Sequence, residues 1–151
     1  MATSDVKSGL RQLEDLLAEY LVKKAPALPN NVKEIIVKFA PWVTLIVMLM
    51  TLPLVLAVFG LGAIFAPFSF LGGLHTGVSY MISIALSAVA LVLEALAIPG
   101  LFKRSRGGWN LVFYSALVQA VESAVTFNLG GLVIGSLVSL YFLFQIREYY
   151  K

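Results

Sequence analysis

The chain has 151 residues, 60% of them hydrophobic and 13% charged, with a formal net charge of +3 and a mean hydropathy of +0.91. A soluble domain is about half apolar and about a quarter charged, so too little polar surface is left here to coat a water-exposed globule, and lipid must solvate most of the chain. The absence of cysteine excludes a disulfide framework, a thiolate nucleophile and a Cys-ligated metal site.

The first 40 residues are polar and amphipathic, which is not the pattern of a secretory signal, where an apolar run follows a short basic stretch at once. Residues 4–24 read as a helix: Val6, Leu10, Leu13, Leu17 and Tyr20 recur at spacings of four and three and share a face, widened by Leu16 and Leu21. Ser4 is its expected N-cap, with Asp5 in the first turn, and Pro26 and Pro29 are expected to end it. The acidic residues Glu14, Asp15 and Glu19 argue against simple adsorption to an anionic leaflet, so this helix is expected to dock on a partner or fold back on the rest of the chain. A second short helix is expected from Asn31, which with Glu34 resembles a capping box, up to Pro41.

Four apolar stretches follow, at about 42–60, 79–98, 109–127 and 129–146. Each is roughly the length that spans a ~30 Å hydrocarbon core. The expected fold is therefore all-α: a cytoplasmic or interfacial amphipathic segment over 1–40, then a four-helix transmembrane bundle over 41–151, forming one domain. Pro53 is expected to kink the first span. The connector 61–78 is glycine-rich and apolar, and reads as an interfacial or partly re-entrant segment. The connector 99–108 is short and basic, and a tight turn at Asn128 joins the last two spans.

Charge placement sets orientation. Of the eleven Lys and Arg residues, six precede the first span, three lie between the second and third, and two follow the fourth. The positive-inside rule then puts both termini and the middle connector in the cytoplasm. One-sided charge also disfavours a dual-topology arrangement. With no organellar targeting pattern, the expected location is the cytoplasmic membrane of a bacterium.

Ionisable groups inside a span are expensive in lipid and point to a purpose. Glu122 sits in the third span in register with Ser115, Gln119 and Thr126, opposite a second-span stripe of Tyr80, Ser83, Ser87 and Glu94. Glu122, Gln119, Ser115, Thr126, Ser83 and Ser87 thus form a candidate intramembrane polar or proton site. The plainer reading is hydrogen-bonded glue between helices. Glu94, nearer the cytoplasmic rim, is expected level with Tyr114 and within reach of Lys103 or Arg104, as a site separate from Glu122. Lys103, Arg104 and Arg106 read as a topology determinant that meets anionic headgroups, and a single RGG-like element beside a membrane gives no reason to expect nucleic acid. Gly131, Gly135 and Ser139 form a small-residue stripe suited to helix packing. The lone His75 lacks the partners of a metal site or a catalytic triad. No cofactor, metal or catalytic residue is expected. The functional expectation is a non-enzymatic scaffold, assembly or accessory subunit in contact with lipids and a membrane-protein partner or a second copy of itself. The alternative is a small oligomeric transporter or channel using Glu122.

Overall fold

In the computed structural model, which describes residues 2–151, the chain is helical with no strand among the described residues. Helix α1 covers Ala2–Ala18, and a π-helical turn, Glu19–Lys24, extends it until the backbone turns extended at Ala25. Pro26 dictates that break, because the residue before a proline is pushed out of the helical region. Ser4 lies inside α1 rather than at its cap, since the helix already starts at Ala2.

Helix α2 is a single rod, Asn30–Ser69, about 60 Å long at 1.5 Å per residue. It replaces the expected short helix and first span, and runs through Pro41, Pro53 and Pro67. The capping box expected at Asn31 does not form: Pro29 occupies the cap position, and its carbonyl accepts from Val32 and Lys33 at 3.0 Å each. Proline has no side-chain acceptor, so no side-chain cap forms there.

The expected connector 61–78 is also corrected. Helix α2 continues to Ser69, a 3₁₀ turn covers Phe70–Gly72, and α3 (Leu74–Phe102) begins directly after Gly73, whose φ of 106° makes the reversal. The other glycines read as loop because glycine is a poor helix former in water. Here two of them admit close neighbours instead. A Cβ on Gly62 would lie 2.8 Å from the Tyr80 hydroxyl, and one on Gly77 would strike the Phe70 ring.

Helix α4 (Arg106–Val125) follows a turn in which Arg104 takes a positive φ of 51° and the Ser105 hydroxyl accepts from Gly108 N–H at 3.2 Å. After the tight turn at Thr126–Asn128, where the Asn128 side chain accepts from Gly131 N–H at 3.0 Å, the chain is helical again from Leu129. It widens into a π-helical turn at Gly131–Gly135 and continues as α5 (Ser136–Gln145). Two helical segments, Asn30–Gly72 and Leu74–Phe102, are long and apolar enough to cross a membrane. Gly131–Gln145 is apolar but shorter, and α4 carries Asn110, Ser115, Gln119, Glu122 and Ser123, which dilute its apolar character.

Helix α3 packs against α4 along its length and against α2, while α5 lies on α4 and receives the Glu19–Lys24 turn. The tightest backbone approach is Gly100 on α3 against Gly108 on α4: a Cβ on Gly108 would lie 2.5 Å from the Gly100 carbonyl carbon. The small-residue stripe on the last helix is not such a face within the chain. Gly131 is taken up by Asn128, Gly135 has open space around it, and Ser139 is exposed.

The buried core gathers at one end of the bundle. Trp109 and Phe113 stack at 5.5 Å, Phe144 meets both edge-on at 5.3 and 5.6 Å, and Val37, Ala97, Leu101, Leu140 and Leu143 close around them. Away from this end most large apolar side chains are exposed, including Met50 and Leu54 of α2. Gly108→Ala is expected to lower stability by about 1–3 kcal/mol through overpacking, whereas Gly135→Ala is expected to stay within about 0.5 kcal/mol. Denaturation of the two variants in detergent measures this, and equal losses would remove the Gly100–Gly108 approach as a determinant of the fold.

Candidate functional site

The polar stripes of α3 and α4 meet, but not in the grouping that spacing along one helix suggests. Ser83 and Ser87 on α3 donate to Glu122 Oε1 at 2.6 and 2.9 Å. Ser115 and Gln119 on α4 donate to Glu94 Oε1 at 2.9 and 2.7 Å. Each helix therefore supplies one carboxylate and the donors for the other.

Antiparallel register explains the exchange. Seven residues forward from Ser87 is Glu94, and seven back from Glu122 is Ser115, so the second pair falls two helical turns from the first. Another six and seven residues lead to Gly100 and Gly108, where the backbones nearly touch. Ser115 and Gln119, grouped with Glu122 by spacing, thus belong to Glu94. Thr126 bonds the carbonyl of Glu122 at 2.9 Å and acts at the helix end. Tyr114 is not a partner of Glu94; its ring lies 5.9 Å from that of Phe113. Lys103 and Arg104 make no ion pair with Glu94 either, and Arg104 instead accepts a main-chain bond from Lys151 at 3.1 Å.

The two carboxylates, expected as separate sites, line one cavity of about 210 Å³, with Thr51 and Val55 of α2 opposite them. Their hydrogen-bond sets are distinct and stand about 10 Å apart along the helices, seven residues at 1.5 Å each. A carboxylate with two donors is satisfied as a helix-to-helix post. The same cavity also brings two ionisable groups within one space. His75 lies elsewhere, its ring 5.7 Å from Phe127 beside an apolar cavity of about 460 Å³.

A second constellation, scattered in the sequence, forms at the packed end. Glu14 of α1 pairs through Oε1 with Arg106 and, at 2.6 Å, with Arg147. The Arg106 guanidinium lies 4.3 Å from the centroid of Trp109, and Arg147 lies 5.6 Å from it. Trp109 is fully buried and donates its indole N–H to the Leu143 carbonyl at 2.9 Å. Burial first, and then the nearby Arg147 charge, hold the Arg106 guanidinium below its ordinary value, with Glu14 pulling the other way. Lys33, 8% exposed, pairs with Glu148 at 2.9 Å.

Gln145, 1% exposed, ties the amino-terminal segment to α5. Its Nε2 donates to the Leu21 carbonyl at 2.8 Å and its Oε1 accepts from Leu28 N–H at 3.2 Å. Tyr141 donates to the Pro26 carbonyl. Helix α1 is thus docked by its distal end: Leu17, Ala18 and Leu21 pack on the core while Val6, Leu13, Leu16 and Tyr20 remain exposed. The amino-terminal segment folds back on the bundle. Of this constellation, the sequence flagged Arg106 as part of a patch and Glu14 as a reason for the first helix to fold back, but not their pairing. The available signal was a buriable amide at the end of an apolar run, Gln145, level with Trp109 and the flanking arginines.

No family model, no curated protein and no solved structure matches this chain.

A double-mutant cycle of Ser87→Ala with Glu122→Ala is expected to show a coupling of about 0.6 kcal/mol, at most about 1.7, as for other interhelical hydrogen bonds in membranes. Unfolding in detergent provides the readout, and additive single losses would mean that the pair holds nothing together. Glu14→Ala leaves two guanidiniums facing each other, so limited proteolysis at residues 25–29 is expected to accelerate roughly ten- to a hundredfold, the weight of one charged hydrogen-bond set. An unchanged cleavage rate would show that α1 is held by apolar contacts alone.

Proposed function

We propose that this chain is a four-span integral protein of a bacterial cytoplasmic membrane, with both termini and the 103–106 turn on the cytoplasmic side. In this reading it acts as a non-enzymatic scaffold or accessory subunit of a membrane complex. The observation that carries the reading is the junction of Glu14, Lys33, Arg106, Arg147 and Glu148 at one end of the bundle. These residues come from the three segments that the positive-inside rule assigns to one side. A chain that returns to the same side at each of them crosses the bilayer an even number of times between them. α2 and α3 form the first hairpin. α4 and the helix over 129–145 form the second, with the polar groups of α4 paired to α3.

The scaffold role draws on how polar groups are used. The intramembrane carboxylates are spent on helix-to-helix hydrogen bonds, and the structured end is where a polar, amphipathic helix is held at the membrane surface. A second reading, transport by an oligomer, is favoured by one observation: Glu94 and Glu122 line a single cavity with Thr51, Ser87 and Gln119.

The chain lacks native cysteine, so single cysteines report topology cleanly. Cysteines replacing Lys7, Lys103 or Lys151 are expected to resist an impermeant maleimide added to spheroplasts, while replacements at Gly72 or Gly130 are expected to react. Labelling of Lys103→Cys from outside would invert or break the four-span topology. Native mass spectrometry after gentle extraction then separates the roles. A stoichiometric second protein supports the accessory subunit. A pure homo-oligomer whose proton or solute flux in proteoliposomes is abolished by a well-folded Glu122→Gln variant moves the assignment to transport.

A further inference from the structure

Between the folded-back amino-terminal segment and the end of α5 lies a cavity of about 390 Å³. Its walls carry Lys23, Lys33, Arg106 and Arg147 together with Glu148, and it has an apolar side of Val22 and Phe144. Counting the nearby Glu14, four cations meet two carboxylates, which leaves two positive charges without a counter-charge in a partly enclosed space. Lys23 has no ion pair among the described residues, and both guanidiniums keep N–H donors beyond the one each gives to Glu14. Tyr150 forms part of the wall. It is 3% exposed, and its hydroxyl is buried without a hydrogen-bond partner among the described residues. Buried polar groups in native proteins are normally satisfied, and an orphan beside a surplus of positive charge calls for an acceptor that carries negative charge.

We propose that this cavity binds a phosphate group, with Arg106, Arg147 and Lys23 supplying charge and Tyr150 a neutral donor. Guanidiniums match phosphate oxygens in fork geometry, and lysine adds a mobile point charge. Burial pushes the Tyr150 phenol above its ordinary value, partly offset by Arg104, so the group keeps its proton for donation at neutral pH. Bound phosphate would neutralise the surplus charge and draw the amino-terminal segment, the 104–106 turn and the end of α5 onto one ligand. The phosphate is that of a lipid headgroup or of a soluble phosphate compound. The lipid source rests on the membrane topology proposed above, and the soluble source does not.

Two tryptophans occur in the chain, so a Trp42→Phe background leaves Trp109, beneath Arg106, as the sole indole reporter. Full-length protein of this background in neutral detergent is titrated with inorganic phosphate and with short-chain phosphatidic acid, using short-chain phosphatidylcholine as a reference. Saturable change in Trp109 emission with either phosphate probe is expected, weakening as salt rises. Response to phosphatidic acid alone assigns the lipid source, and response to inorganic phosphate assigns a soluble one. Tyr150→Phe, which removes only the hydroxyl, and Lys23→Gln, at an exposed position, are each expected to weaken binding about tenfold while thermal unfolding stays unchanged. Lys7→Gln, at an exposed position outside the cavity, is expected to bind as the parent does. No saturable response to either probe, or parental affinity in both Tyr150→Phe and Lys23→Gln, overturns the proposal. These outcomes are independent of the cysteine-labelling result, so failure of the topology and failure of the site remain distinguishable.

Discussion

The carboxylate of Glu14 stands between the guanidiniums of Arg106 and Arg147, which in turn lie over the buried indole of Trp109. Without that carboxylate the two half-buried cations would repel each other, and no other anion contacts them among the described residues. The contact joins residues 92 apart in the chain and so closes the amino-terminal segment onto the bundle. Around it the remaining polar links fall into place: Gln145 to Leu21 and Leu28, Lys33 to Glu148, and the main-chain exchange between 104–106 and Lys151.

This arrangement separates the molecule into two physical regimes. At the charged end, side chains are buried against protein, aromatic rings interlock, and Glu14, Lys33, Arg106, Arg147 and Glu148 are paired. Beyond it, α2 and the helix over 129–145 present apolar side chains outward, and cohesion comes from close helix approach and a few hydrogen bonds. Where so little apolar surface is buried between helices, such contacts carry more of the cohesion. The α3–α4 pair follows that logic at intervals of about two turns, with Ser87 and Glu122, then Glu94 and Ser115, then Gly100 and Gly108. The last of these sets the distance at which the first two can form.

A similar economy governs the functional readings. Carboxylates inside α3 and α4 are each met by two side-chain donors, which favours a structural use, although their shared cavity keeps a pathway in view. The positive surplus lies instead at the packed end, next to a buried phenol without a partner. The cavity proposed to take a phosphate lies among these cationic segments.

Composition, hydropathy and residue spacing were sufficient to establish an all-helical chain, its two membrane-length helices, the reversal at Asn128 and the meeting of the polar stripes of α3 and α4. These properties are local, or sums over a stretch, and survive any arrangement of neighbours. The partner of each carboxylate was nearly legible, since a turn centred near Arg104 sets an antiparallel register that pairs Glu94 with Ser115 rather than with Tyr114. The continuity of α2 through 61–69 was hidden because glycine and proline read as helix breakers, a local propensity that the surrounding structure overrides here. The docking of Glu14, the burial of Gln145 and the cavity beside Tyr150 were decided by tertiary structure alone. They join residues 92 to 133 positions apart, and no periodicity along the chain encodes which distant charge a folded-back helix will meet.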